Sequence, residues 1–366
     1  MKILQVITSL RMGGAEHIVV ELANGLVARG HQVDIAVFDG IETPFYKELE
    51  PSVRVYRMGS GTYNPLYIFK LVRLMRHYDL VHTHNSSPQL FTAIARVLCS
   101  VELVSTEHNT SNRKRGWKWY APIESWMYGQ YDHVVCISEI AEKKLREYMG
   151  GTWLDKHSKK YTRISTINNG VDVEAIHRAE PDHSLLEAKG DRKAVLMVAG
   201  FREAKDQDTI VRAMSLLDKE CFEVWFAGIG TRMETVKTLA KQLGVADNVR
   251  FLGLRTDIPQ VLQAADIVVM SSHWEGLSLS NIEGMSAGKP FVASDVNGLR
   301  EVTKGYGVLF EHENDKELAS TINRLAEDAS YYQQIAGGCY ERACQYDVSK
   351  MVEAYENVYL KTQLHV

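Results

Sequence analysis

The chain has 366 residues, 45% of them hydrophobic, and a formal net charge of −4. That length suits two α/β domains better than one core, and that apolar fraction can bury both. Residues 1–180 hold 22 Lys+Arg against 19 Asp+Glu and the remainder 20 against 27, so neither half shows the strong basic patch of a nucleic-acid-binding protein.

The opening MKILQVITSL has one lysine and an apolar run too short for a signal peptide. No later segment offers some twenty uninterrupted apolar residues. A soluble, cytoplasmic protein is expected. Its five cysteines, Cys99, Cys136, Cys221, Cys339 and Cys344, form no CxxC pair and are expected to be reduced and structural.

In chain order, the first half offers the β-rich runs KILQVIT, HQVDIAVF, VRVYRM, DLVHTH, ELVSTEH, DHVVCIS and RISTIN. The second offers AVLMVAG, EVWFAG, VRFLG, DIVVMSS, PFVASD and GVLF. Helical patterns separate them, which predicts βαβ units and parallel sheets. The first helix is clear: Ala15, Ile18, Val19, Leu22, Ala23, Leu26 and Val27 recur at helical spacing, with Gly30 as a stop. Apolar periodicity lapses near residues 172–192, which are expected to link an N-terminal domain of residues 1–175 to a C-terminal domain of 190–346.

The stretch EGLSLSNIEGMSAGKP holds two acids, Glu275 and Glu283. DIVVMSS before it reads as a buried strand, Ser278, Ser280 and Asn281 as helix caps, and Gly288 as a stop. Glu275 then lies on a strand-to-helix loop and Glu283 one turn into the helix. Loops at the carboxyl ends of parallel strands bind ligands, and free amides at a helix start attract anions. Carboxylates beside an anion site suit a ligand that carries hydroxyls as well, as a sugar nucleotide does. A solvated loop acid and a first-turn acid complementing the helix dipole are the alternative.

That stretch, extended through FVASDVNGLREV, resembles the retaining glycosyltransferases of family 4, together with SLRMGGAEHIVVELANGL, VAGFREAKDQDT, FAGIG and NVRFLGLRTDIPQVLQAADIVVMSS. The resemblance runs in order from Ile3 to about Phe310, and its most specific element is the pair of glutamates with the flanking AGKP. It implies the GT-B arrangement: two Rossmann-like domains facing a cleft, nucleotide sugar on the C-terminal domain and acceptor on the N-terminal one. A last helix, here from Asp347, crosses back to the first domain.

By that resemblance Glu275 contacts the transferred sugar, the stretch Gly276, Leu277, Ser278, Leu279 and Ser280 cradles sugar and phosphates, and Glu283 holds ribose hydroxyls. Lys205 neutralises the diphosphate leaving group; the family's usual arginine falls at Gly200, and Arg202 is expected to substitute for it. Gly13 and Gly14 match the family's first glycine loop, and Gly228 and Gly230 a second. Leu254 and Arg255 lie where relatives hold the base. His108 is expected to hydrogen-bond the sugar, with His84 on the acceptor side and His82 structural. The cluster NRKRGWKWYAPIESWMYGQY, including Arg113 and Trp117, suits an anionic membrane surface or a polyprenyl-diphosphate-linked saccharide acceptor; a solvated basic loop with buried aromatics is the alternative.

No cofactor and no metal are expected. Asp206 and Asp208 spell the DxD of another glycosyltransferase architecture but sit at a helix start, where Asp caps. The loop at Gly13 lacks the GxGxxG dinucleotide fingerprint, which argues against an oxidoreductase. A hexose or N-acetylhexosamine transferase with a UDP-sugar donor, favoured over GDP-sugar, follows as the implied activity, by same-face substitution with the leaving diphosphate taking the acceptor's proton. A nucleotide-sugar epimerase and a non-catalytic sugar-nucleotide-binding partner are the competing readings.

Overall fold

The computed structural model describes residues 1–11, 13–108, 115, 117, 119–275 and 279–364. It divides into two compact units, Met1–Gly170 with Val348–Val366, and Val171–Asp347.

The first unit is built on seven strands: β1 Lys2–Ile7, β2 Gln32–Asp39, β3 Arg54–Gly59, β4 Leu80–His84, β5 Glu102–Glu107, β6 His133–Cys136 and β7 Ile164–Thr166. They pair in the order β3-β2-β1-β4-β5-β6-β7, every neighbouring pair parallel. Such strands are covered on both faces and so read as continuous apolar runs; all but the first residue of β1, and all of β4, are buried. The helix Gly14–Ala28 buries Ile18, Val19, Leu22 and Leu26 on its inner stripe, and Gly30, at φ +87°, supplies the left-handed turn beyond its end.

The terminal helix Val348–Gln363 belongs to this unit. Tyr355 and Tyr359 on it are fully buried. Tyr359 Oη lies 2.6 Å from His82 Nδ1 and Tyr355 Oη 3.0 Å from Thr106 Oγ1. Glu356 pairs with Arg29 and His31. His82 therefore anchors the helix to the sheet. Two residues apart on β4, His82 and His84 share a face, with ring centroids 4.1 Å apart.

The second unit has six strands: β8 Lys193–Val198, β9 Phe222–Ala227, β10 Val249–Gly253, β11 Ile267–Met270, β12 Phe291–Ser294 and β13 Val308–Phe310. Their order, β10-β9-β8-β11-β12-β13, again parallel, repeats the first sheet's winding. Each unit has a core of its own, around Phe38, Tyr67 and Tyr131 in one and Trp225, Phe226 and Phe291 in the other.

The stretch expected to link the halves is structured. It forms the helices Val173–His177 and His183–Lys189, capped by Asp172 and Asp182, and Val173, Ile176 and Leu185 join the second core. Helices of five and seven residues are too short to show a periodicity. Among the described residues no helix is long and apolar enough to cross a membrane.

Candidate active site

A doubly wound parallel sheet binds ligands at the carboxyl ends of its strands, where the strand order reverses. In the second unit that point lies between β8 and β11, which pair directly through Val195 and Leu196 with Ile267 and Val268. The loop after β8 carries Lys205 and the loop after β11 carries Glu275. An antiparallel bridge of Lys205 to Ser272 ties the two loops, with Asp206 N–H donating to Ser271 O at 3.1 Å. The Lys205 ammonium donates to Glu275 Oε1 in a close ion pair, and Ser272 Oγ donates to the same oxygen at 3.1 Å. Lysine and glutamate are thus oriented together, both partly shielded from solvent.

Arg232 and Ser272, which sequence reasoning missed, brace this pair. Arg232 Nη1 donates to Lys205 O at 3.1 Å and its Nη2 pairs with Asp208 at 2.7 Å. Asp206 caps the helix Gln207–Met214 by accepting from Thr209 N–H. Both acids of the DxD are therefore held within the scaffold. Arg232 was discoverable only as the first arginine after FAGIG, a weak signal.

Arg202 is exposed, and among the described residues it forms no ion pair; the neighbouring Glu203 faces Arg232. Gly228 and Gly230 have a definite reason to be glycine. A Cβ on Gly228 would stand 2.1 Å from Ala199 O, and one on Gly230 2.3 Å from Phe201 O, so the loop after β9 can lie directly on the loop that leads to Arg202 and Lys205. Gly13 differs. Its backbone is extended, at φ −174°, and a Cβ there would meet only the carboxylate end of Glu16, while Gly14 is simply the first residue of its helix.

The helix Leu279–Ser286 follows Glu275. It begins at Leu279, so Ser280 and Asn281, expected as caps, lie inside it. Asn281 is fully buried, and both its side-chain amide atoms lack a hydrogen-bond partner among the described residues. Glu283 stands one turn past Leu279 and is half-buried. Gly284 lets the helix press on β11 and β12, since a Cβ there would meet Phe291 at 2.7 Å and Val268 at 2.9 Å. Gly276, Leu277 and Ser278, like Arg113, lie outside the described residues.

Leu254 is exposed just beyond β10. Arg255 is engaged by two carboxylates, Asp182 at 2.6 Å and Asp257 at 2.5 Å. Asp182 is held down to about 2 by hydrogen bonds from Ser184 and Arg255 that favour its charged form.

In the first unit the reversal falls between β1 and β4. Gln5 Oε1 on β1 lies 2.7 Å from His84 Nε2, and His84 Nδ1 lies 2.9 Å from His108 Nε2. A carbonyl oxygen accepts, so His84 carries its proton on Nε2 and takes the His108 Nε2–H on Nδ1. Neutral His108 is left with Nδ1 as an acceptor. Burial pushes His84 well below its usual pKa and His108 down to about 4, which keeps both neutral.

Beside this chain, Arg115 donates to Glu107 at 3.1 Å and to Glu124 at 3.3 Å. Arg115 therefore turns inward and is not part of a solvated basic surface. The aromatics go the other way: Trp117, Trp119 and Trp126 are 45%, 66% and 42% exposed, and Trp117 stacks on Trp119 at 5.5 Å. The alternative of a solvated basic loop with buried aromatics therefore fits at Tyr120, which is buried, but not at these three tryptophans or at Arg115.

Two parallel six- and seven-stranded Rossmann-like sheets of this winding define the GT-B class of glycosyltransferases. The comparison with known proteins agrees. The family model for glycosyltransferase family 4 matches residues 12–175, and that for glycosyl transferases group 1 matches 180–341. The chain belongs to glycosyltransferase family 4. It is similar to a D-inositol 3-phosphate glycosyltransferase of Salinispora arenicola, 25% identical over 95% of this chain and 87% of that one. It is also similar to an uncharacterized glycosyltransferase of Haemophilus influenzae, 24% identical over 94% and 96%. Among solved structures, Anabaena Alr3699/HepE in complex with UDP superposes with a TM-score of 0.81 at 21% identity, covering 99% of this chain and all of that one, and has also been solved with UDP-glucose.

Proposed function

We propose that the chain moves a hexose or N-acetylhexosamine from a nucleoside diphosphate sugar, with UDP favoured over GDP, to a hydroxyl of a saccharide acceptor, with retention at the anomeric carbon. The observation that carries the reading is the Lys205–Glu275 pair on the two loops flanking the strand-order reversal, followed directly by the helix that bears Glu283. The UDP and UDP-glucose complexes of HepE, which shares the fold, support the choice of donor.

In the reaction the bond from the anomeric carbon to the diphosphate oxygen breaks, and the acceptor oxygen bonds to the same face. The leaving diphosphate takes the acceptor's proton. Negative charge grows on the diphosphate, so a fixed ammonium at Lys205 and a guanidinium at Arg202 stabilise the transition state more than the ground state. Glu275 and Glu283 accept from sugar and ribose hydroxyls respectively. The chemistry needs no metal and no cofactor, because these cations supply the charge.

The exposed tryptophans at 117, 119 and 126 favour an acceptor presented at an anionic membrane, a polyprenyl-diphosphate-linked saccharide in bacterial surface glycan synthesis, at the inner face of the cytoplasmic membrane. The test is incubation with UDP- and GDP-hexoses and polyprenyl-diphosphate saccharides, with the product's anomeric coupling read by NMR. A product of the donor's own anomeric configuration supports the reading. An inverted product, or an epimerised nucleotide sugar formed without acceptor, overturns it.

A further inference from the structure

Beside the Lys205–Glu275 pair, three segments distant in sequence bring metal-capable side chains together. One donor atom from each of Asp206, His273 and His312 lies within 4.8 Å of the others. His312 and Glu313 stand two and three residues past the end of β13, and His273 stands two residues before Glu275.

The geometry around the two imidazoles is specific. His273 Nδ1, His312 Nε2 and Glu313 Oε1 form a triangle with edges of 2.8, 3.3 and 3.9 Å. A tetrahedral zinc ion with bonds near 2.0–2.1 Å to nitrogen sets its donors about 3.3 Å apart. The triangle brackets that spacing. With each imidazole carrying a proton only on its other ring nitrogen, three atoms with lone pairs converge here.

The surroundings complete the picture of a ligand set. The buried Asp206 has both oxygens fixed, Oδ1 by Thr209 N–H and Oδ2 by Ser271 Oγ–H, each at 3.1 Å, as ligating carboxylates are oriented by a second layer of hydrogen bonds. Glu313 adopts φ +64°, a left-handed conformation costly for a residue with a Cβ. The imidazoles are partly open to solvent, at 25% and 35% exposure, so an ion can enter.

We infer that His273, His312, Glu313 and Asp206 bind a divalent transition metal of zinc-like character, which clips the ends of β11 and β13 to the segment after Lys205. Two imidazoles with carboxylates suit zinc, cobalt or nickel over magnesium or calcium. The ion is structural: it steadies the segment that leads to Glu275, touches neither sugar nor diphosphate and takes no part in the transfer.

The test uses the full chain stripped with EDTA. Zn2+ is titrated in competition with a chromophoric chelator, and Co2+ is added to a second sample for its visible absorption. One equivalent of zinc, a tetrahedral cobalt spectrum, and a loss of affinity of more than about tenfold in both His273→Ala and His312→Gln are expected. UDP-induced thermal shifts and circular dichroism on the same variants show whether they fold. Zinc binding that persists in folded variants, or none that competes with the chelator, overturns the inference. A failure of the UDP shift alone leaves the metal result standing.

Discussion

The ammonium of Lys205 and the carboxylate of Glu275 meet where the loops after β8 and β11 are bridged, so that each orients the other. Seventy residues apart in sequence, they are neighbours because β8 and β11 are adjacent strands at the reversal of the sheet. The cation that the proposed leaving group requires is therefore held in place before any substrate arrives.

Replacing Lys205 by Ala removes that charge from the growing negative charge on the diphosphate. The expected loss in kcat is roughly 10²–10³-fold, with donor KM changed far less. Steady-state release of nucleoside diphosphate measures it. Turnover within a few-fold of the unaltered chain would show that Lys205 does not act on the leaving group.

Gly228→Ala and Gly230→Ala should each destabilise the second unit by about 1–3 kcal/mol, because their Cβ atoms would press on backbone that cannot yield. Gly13→Ala should leave stability nearly unchanged, since the Glu16 side chain can move away. Denaturant melts of the three variants make the comparison, and equal melts would contradict it.

The strands among the described residues were legible because buried parallel strands read as apolar-rich runs, and each observed strand extends at most one residue beyond its run. Glu275, Lys205 and Glu283 could be named from one compact motif and one short loop. What escaped was non-local. Arg232 supports Lys205 through a backbone carbonyl, and His273 meets His312 across 39 residues, with no spacing rule to announce either. Arg115 looked like part of a basic surface because its buried partners, Glu107 and Glu124, lie on a strand and a helix whose faces the local pattern did not resolve. Asn281 looked like a cap because polar residues at helix starts usually are.

Acid should destabilise the first unit. Burial holds His108 down to about 4 and His82 and His84 well below their ordinary 6.5. Between those values the unfolded chain binds more protons than the folded one, so the free energy of unfolding falls as pH drops from 6.5 toward 4 and is unaffected by these groups above 6.5. Tm measured across that range should fall, and less steeply in His108→Gln. A variant curve parallel to the parent's would assign the fall to other groups.

If the tryptophans face a membrane, Trp117→Ser with Trp119→Ser should reduce co-sedimentation with anionic phospholipid vesicles severalfold while leaving circular dichroism unchanged. Neutral vesicles should bind more weakly than anionic ones in the unaltered chain. Binding that is indifferent to both changes would remove these residues from the membrane reading.

The most direct test is donor binding at the second unit, read as thermal shifts with UDP, GDP, ADP and NAD on the unaltered chain and on Glu283→Ala, each with and without EDTA. A nucleotide at a hundredfold its Kd stabilises by about 2.7 kcal/mol, a rise of a few degrees. A rise with UDP that survives EDTA and is largely lost in Glu283→Ala is expected. No rise with any nucleoside diphosphate, or a UDP rise undiminished in the variant, would contradict it.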